Sequence, residues 1–293
     1  MNESKLNSWI LASRPKTLLA AVVPVMVGSA LAISLNQFFL PYSLVALLCS
    51  ILIQVGTNFT NDLYDFLKGS DTIKRKGPRR VLASGLISVN EMKFAITLVF
   101  GLAFVFGLYL VFSVGLFILW VGIISIIAGI AYTAGPFPLA YNGLGDLFVF
   151  LFFGVVGTIG TFYLHTQQIT MLSFIVSIPV GAIITNILVV NNFRDIEEDR
   201  LANKKTLAVL LGSEFSKWQF IVLIIISYLT SVALFFLYEF SIWIFLPFIT
   251  IPISIILIKM LYSLKGTELN KTLELSAKFS GLYGLLFSIG LIV

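Results

Sequence analysis

The stretch NFTNDLYDFLKGSDTIKRKGPRRVLASG, residues 58–85, decides how the rest of the chain reads. It begins as the last turns of a very apolar segment and ends as the most highly charged loop in the protein. Asn58, Asn61, Asp62 and Asp65 recur at helical spacing and so share one face of a helix, with Asp71 just beyond Gly69. An Asp near the centre of a membrane helix costs roughly 2.5–3.5 kcal/mol, and less toward its end. Three Asp and two Asn gathered at such an end therefore read as a site. One Asp alone would be explained by capping the helix in water.

A second stretch is a distant copy of the first. Asn191-Asn192-Phe193-Arg194-Asp195-Ile196-Glu197-Glu198-Asp199 also closes a long apolar run and sets Asp195 and Asp199 four residues apart, on one face of a helix. Each copy is followed by basic residues, Lys74-Arg75-Lys76 with Arg79-Arg80 in the first and Lys204-Lys205 in the second. The expected organisation is one domain, 1–293, made of two pseudo-repeats of about 1–140 and 141–293. Mg²⁺ prefers hard oxygen ligands, keeps several waters and commonly joins one or two carboxylates to substrate phosphates. A diphosphate held by Mg²⁺ between the two clusters, with Lys and Arg on its remaining charge, uses every residue type present. A proton or Na⁺ path, as in a secondary transporter, would leave the adjacent cations without a role.

Composition sets the class. Hydrophobic residues are 58% of the 293 and charged residues 11%, against about 45–50% and 25% in soluble domains, so the chain is an all-α, polytopic membrane protein embedded in the lipid bilayer. The lone Cys49 lies in an apolar run and excludes a disulfide framework or a Cys-based metal site. Nine windows are long enough to span a bilayer: Thr17–Leu35, Leu44–Tyr64, Phe94–Phe112, Leu116–Thr133, Leu147–Leu164, Met171–Asn191, Trp218–Tyr238, Ile242–Tyr262 and Phe279–Val293. The first is too long for a signal-peptide core and lacks a clear cleavage site, so it reads as a retained span.

With the N-terminus in the cytoplasm, all 19 Lys and Arg fall on one side, in the N-terminal segment and the loops 65–93, 135–146, 192–217 and 263–278 with Lys259 beside the last. The opposite loops, near 36–43, 113–115, 165–170 and 239–241, carry none. This segregation follows the positive-inside rule and places the protein in the cell membrane, with both acidic clusters opening on the cytoplasmic side of a central cavity. It also accounts for the +5 formal charge without nucleic acid as a partner. Segments 84–92 and 206–211 have the pattern of short amphipathic helices that would lid the cavity. His165 falls in an outer loop, far from the clusters. Asp146 opens a span, where a helix N-cap role and a ligand role are equally open.

The residues resemble a known family. Asn61-Asp62-x-x-Asp65 with Asp71, and Asp195-x-x-x-Asp199, are similar to the two Asp-rich motifs of the UbiA superfamily of intramembrane aromatic prenyltransferases, over nearly the whole chain. Arg14-Pro-Lys-Thr, Lys76-Gly-Pro-Arg79, Gly143-Leu-Gly-Asp146 and Asn191-Asn192-x-Arg194-Asp195, followed by Lys205-Thr-Leu-Ala-Val, most resemble its branch that prenylates 1,4-dihydroxy-2-naphthoate. The resemblance implies nine helices around a cytoplasm-opening cavity, a polyprenyl diphosphate donor, an aromatic acid acceptor and Mg²⁺. Asp62, Asp65, Asp71, Asp195 and Asp199, with Asn61, would hold the metal. Lys68, Arg79, Lys204 and Lys205 would neutralise the diphosphate, and Asn58 and Asn192 would face substrate. Tyr64, Tyr132 and Phe193 would stabilise an allylic cation, while Arg14, Lys16 and Arg194 would bring a cation to the acceptor's carboxylate. Alternative acceptors are 4-hydroxybenzoate and homogentisate. One departure is Asn203 before Lys204, where the family usually has Gly; Asn tolerates the left-handed turn, so loop shape is affected more than chemistry. In a Cys49-free background, cysteines placed at Lys76 and at Lys204 are expected to be protected from an impermeant thiol reagent in intact cells. Labelling of either from outside would refute the orientation.

Overall fold

The computed structural model describes residues 4–70 and 77–293, so Asp71 and the basic run Lys74–Lys76 lie outside the described residues. The chain is helical throughout. Its elements are α1 (Lys5–Ser13), α2 (Leu19–Ser34), α3 (Leu40–Leu67), α4 (Val89–Val114), α5 (Leu116–Ala131), α6 (Gly145–Thr166), α7 (Met171–Arg194), α8 (Ile196–Leu201), α9 (Leu207–Tyr238), α10 (Ile242–Ser263) and α11 (Leu269–Ile292). Among the described residues seven helices are long and apolar enough to cross a membrane, α1 and α2 make an eighth span bent by 49°, and α5 is a shorter apolar helix. Each of the nine expected windows falls in one of these, with α11 starting at Leu269 instead of Phe279. The protein is a multi-pass membrane protein.

α7 is the central helix. Its most apolar window is 78% buried, against 17% for α3 and α4, so α7 faces other helices while α3 and α4 turn much of their surface outward to lipid. The main core joins α2, α6, α7, α9, α10 and α11 through Leu31, Phe162, Ile183, Leu234, Ile244 and Phe287. In lipid the hydrophobic effect does not drive helix association, so close approach of small residues matters more. A Cβ on Gly154 of α6 would stand 2.6 Å from the Gly181 Cα of α7, and one on Gly181 would stand 2.9 Å from the Phe150 carbonyl. These two helices touch backbone to backbone.

A second, smaller core seats the loop after α3. Val81, Leu82 and Ile87 pack with Ala12, Phe59, Leu63 and Met92, fastening residues 80–88 over the ends of α1, α3 and α4. The segment 84–92 is not a separate lid helix. Gly85 turns the chain at φ +68°, and Ser88 caps α4: its hydroxyl accepts from the Glu91 N–H, and the Glu91 carboxylate accepts from the Ser88 N–H. The 206–211 segment is helical as expected, because the Thr206 hydroxyl accepts from the Val209 N–H, but Gly212 (φ +86°, ψ 175°) bends it away from the span that follows. Nor is His165 in an outer loop. It ends α6, accepts the Phe39 N–H on Nδ1 at 3.1 Å and meets the Ser43 hydroxyl on Nε2 at 3.0 Å, tying α6 to the α2–α3 connection.

The glycine contact gives a direct test. Gly181→Val is expected to destabilise the detergent-solubilised protein by about 1–3 kcal/mol, the usual cost of overpacking. Gly101→Ala, where nothing lies within 4 Å, is expected to leave the thermal midpoint unchanged or raise it.

Candidate active site

The two acidic clusters meet at one end of the bundle, at the mouth of a cavity of about 380 Å³. Its wall follows α3 from Asp65 back to Ala46, about 28 Å at 1.5 Å per residue, close to the thickness of a bilayer's hydrocarbon core. Arg14, Asn58, Asn61, Asp65, Arg80 and Lys204 make the polar mouth, joined by Asn191 and Asn192 from α7. Below it the lining is apolar, with Phe104 and Leu108 from α4, Leu119 from α5, and Phe148, Phe152 and Phe153 from α6.

Asp62 is 2% exposed and accepts from two guanidinium groups on the same Oδ1, Arg14 at 2.7 Å and Arg80 at 2.8 Å. Arg14 reaches it because the chain turns sharply between α1 and α2. Arg14 itself adopts φ +50°, a conformation that costs a non-glycine residue roughly 1–3 kcal/mol unless its surroundings impose it. The surroundings are Asn58, whose amide donates to the Ser13 carbonyl at 2.9 Å and the Thr17 hydroxyl at 3.2 Å, and Thr17, which donates to the Arg14 carbonyl at 2.9 Å. Asn58 is thus the staple that fixes the α1–α2 corner on α3.

Asp65 accepts from the Tyr141 hydroxyl at 2.8 Å. Tyr141, in a short turn before α6, joins the two halves of the site. Lys68 lies over its ring at 4.3 Å and Lys204 at 5.3 Å, and its carbonyl accepts the Lys205 N–H at 3.0 Å. Loss of hydration draws the Lys68 pKa down from its ordinary value, opposed by the charge of Asp65 and assisted by that of Lys204. Lys68 also donates to the Thr133 carbonyl at 2.7 Å, and the Thr133 hydroxyl donates to the Asn61 side-chain oxygen at 2.5 Å. Lys204 stands 3.8 Å from Asp199, and Asn203 takes φ +55°, the left-handed turn expected of it.

Several expected residues are placed elsewhere. α7 ends at Arg194 and Asp195 is the N-cap of α8, but the Asp199 N–H donates to the Asp195 carbonyl at 2.8 Å, so the two residues stay one helical turn apart as expected. Asp195 is gripped by Arg194 at 2.6 Å on both carboxylate oxygens, and Arg194, its side chain 0% exposed, also reaches Asn191 and Asn270. Arg194 therefore braces α7 against α11 and brings no cation to the cavity mouth. Lys16 is exposed and pairs with Glu274 at 2.6 Å, outside the main cavity. Arg79 points out to the Ser84 hydroxyl, and the neighbouring Arg80 is the arginine that lines the cavity. The Lys205 side chain is exposed. Tyr132 lines the cavity, whereas Tyr64 and Phe193 pack in the two cores. Asp146 does not cap α6, whose N-cap is Leu144. It lines the cavity instead.

Residues 21–282 match the model of the UbiA prenyltransferase family. The chain belongs to that family. It is a prenyltransferase, 36% identical over its whole length, and 98% of the other's, to a 1,4-dihydroxy-2-naphthoate octaprenyltransferase of Haemophilus influenzae. It is 34% identical over 98% of its length, and 96% of the other's, to the protein of that name from Escherichia coli. Its fold resembles a UbiA homologue from Archaeoglobus fulgidus solved with DMAPP and Mg²⁺, with a TM-score of 0.68, 18% identity and coverage of 96% of this chain and 99% of that one.

Arg80→Ala, which removes one of the two guanidinium groups on Asp62, is expected to lower stability by about 1.5–3 kcal/mol, the range for a hydrogen bond to a charged group. Arg79→Ala, which leaves both guanidinium groups on Asp62, should cost less than Arg80→Ala. Thermal unfolding of the two variants side by side tests whether the loop's register is as described.

Proposed function

We propose that the protein transfers a polyprenyl group from its diphosphate to 1,4-dihydroxy-2-naphthoate, with loss of CO₂ from the carbon that receives the prenyl group. The observation that carries this reading is the joining of a polar mouth, with carboxylates and cations from both halves of the chain, to a long apolar cavity. Such a shape takes a charged head and an isoprenoid tail. The names of the full-length relatives, which are octaprenyltransferases for this acceptor, support the choice of acceptor.

The donor set fits Mg²⁺. Asp65 and Asp199 offer hard carboxylate oxygens, and the Asn61 carbonyl oxygen, with one lone pair on Thr133, has a second. Mg²⁺ commonly takes one or two carboxylates and completes its shell with water and phosphate oxygens, which this donor set allows. When bound there, Mg²⁺ supplies Lewis acidity and a template for loss of the diphosphate.

The protein's own residues do the rest. Tyr141 holds the Asp65 carboxylate in place, and Lys68 and Lys204, on the same ring, face the departing negative charge. Asp62 orients the Arg14 and Arg80 guanidinium groups, planar forks suited to the acceptor's carboxylate as well as to phosphate. Asp195 serves the fold through Arg194. Phe104, Phe148, Phe152 and Phe153 line the apolar wall, where aromatic side chains can stabilise an allylic cation and an apolar surface disfavours water. The distribution of basic residues supports a cytoplasmic mouth in the cell membrane.

Purified protein with Mg²⁺, a polyprenyl diphosphate and a panel of aromatic acids should give a prenylated naphthoquinol and CO₂. A prenylated hydroxybenzoate that keeps its carboxylate, with no naphthoquinol, would overturn the acceptor assignment. Asp65→Asn and Asp199→Asn are each expected to reduce turnover at saturating Mg²⁺ by at least about 100-fold while the protein stays folded. Full activity in either would remove that residue from the diphosphate site.

A further inference from the structure

Among the described residues, the carboxylates that line the cavity are Asp65 and Asp146. Asp65 belongs to the diphosphate end. Asp146 lies outside both Asp-rich motifs and is 5% exposed. Its side chain accepts from the neutral Gln219 amide of α9, at a long 3.3 Å, and from its own backbone N–H, and neither donor carries a charge. Among the described residues no Lys or Arg forms an ion pair with it, although buried carboxylates elsewhere in this chain, Asp62 and Asp195, are held by arginines. It is not the N-cap of α6, which is Leu144. The residue before it, Gly145, has no Cβ, and one there would stand 3.2 Å from the Tyr132 hydroxyl, so the cavity wall is drawn in tightly beside this carboxylate. A buried acid with no counter-ion, in an apolar cavity, is costly to keep for structure alone. It has the environment of a general base.

We propose that Asp146 is a catalytic residue that binds the ring hydroxyl of the aromatic acceptor and takes its proton as the ring attacks. The inference rests on the prenyl-transfer reading above and deepens it. The 1-hydroxyl of the naphthoate is adjacent to the carbon that carries the carboxylate. As its O–H bond breaks toward Asp146, the oxygen becomes a ketone and the ring π pair forms the bond to the allylic carbon. The allylic C–O bond breaks with its electron pair leaving on diphosphate. The product of this step is a β-keto carboxylate. Its C–C bond to CO₂ then breaks, the pair returns to the ring as an enolate, and the enolate oxygen recovers the proton from Asp146. No net proton, oxidant or reductant is required, so the carboxylate needs no path to solvent.

The test is Asp146→Asn, which keeps an oxygen for Gln219 but removes the base. It is assayed with whichever aromatic acid the wild-type protein turns over, so failure of the naphthoate assignment leaves the test intact. Turnover is expected to fall by about 10²–10⁴-fold, the usual contribution of a general base, with binding of Mg²⁺ and prenyl diphosphate within threefold of wild type. Acceptors with a more acidic ring hydroxyl should raise the rate of Asp146→Asn, because they ionise unaided, and lower that of wild type, because their oxyanions are poorer nucleophiles. Opposite slopes support the assignment. Parallel slopes, or a loss of less than threefold, overturn it. Gln219→Leu separates a structural tie: a base leaves this variant within tenfold of wild type, whereas a loss equal to that of Asp146→Asn shows that the Asp146–Gln219 contact only holds α6 to α9. If Asp146→Asn does not accumulate, the slopes are read on Asp146→Ser and Asp146→Glu, and only Asp146→Glu should keep the wild-type sign.

Discussion

Charge placed at the end of an apolar helix bundle must be matched by charge from elsewhere in the chain, and the pairing of Asp62 with Arg14 and Arg80 is the contact on which the rest of this structure depends. A buried carboxylate without partners would cost several kcal/mol. Arg14 can reach it only if the chain bends by 49° between α1 and α2, and Arg80 only if the loop after α3 is folded back over the helix ends. The apolar plug of Val81, Leu82 and Ile87 supplies that second condition. Packing of ordinary hydrophobic residues thus sets the position of two guanidinium groups at the cavity mouth.

The spans and the acidic clusters were legible in the sequence for a simple reason. A bilayer imposes a length and a hydropathy on every crossing segment, and helical spacing then determines which polar residues share a face. That was enough for Asp65, Asn61, Asn192 and Lys204, all of which line one cavity. It failed where the backbone leaves the helix. Arg79 and Arg80 are adjacent, and nothing local says which points inward; the answer lies in the burial of Val81 and Leu82. Asp195 and Arg194 look like ligands by spacing, but their side chains pair with each other. Tyr141 and Thr133 carried no signal, because their roles depend on contacts with residues some seventy positions away, Asp65 at a separation of 76 and Asn61 at 72.

Tyr141 also explains how the two halves act as one site. Lys68 follows the first acidic cluster and Lys204 the second, and both converge on the same ring while its hydroxyl holds Asp65. Two cations on one aromatic ring repel each other, and cation–π attraction offsets only part of this, about 0.5–2 kcal/mol each. Such a pair is favourable when an anion lies between or beside them. The arrangement is preorganised for a highly charged ligand head.

The π-helical stretch Phe150–Val156 in α6 has a different kind of consequence. A wider turn stores one more residue than an α-turn over the same rise, and each residue of an α-helix rotates the chain by about 100°. Phe148 above the wide turn and Phe152 within it line the cavity, while Phe162 below it enters the core against α2 and α7. The extra residue is the phase correction that keeps one face of α6 on the cavity along its length, since Val156, Gly157, Gly160 and Leu164 line it as well, and holds Phe162 on the core side. Deleting a single position between 150 and 156 would restore an ordinary helix and swing Phe162 out of the core, although the hydropathy of the span would hardly change. Over this segment the fold counts residues, and it is more sensitive to their number than to which apolar side chains they carry.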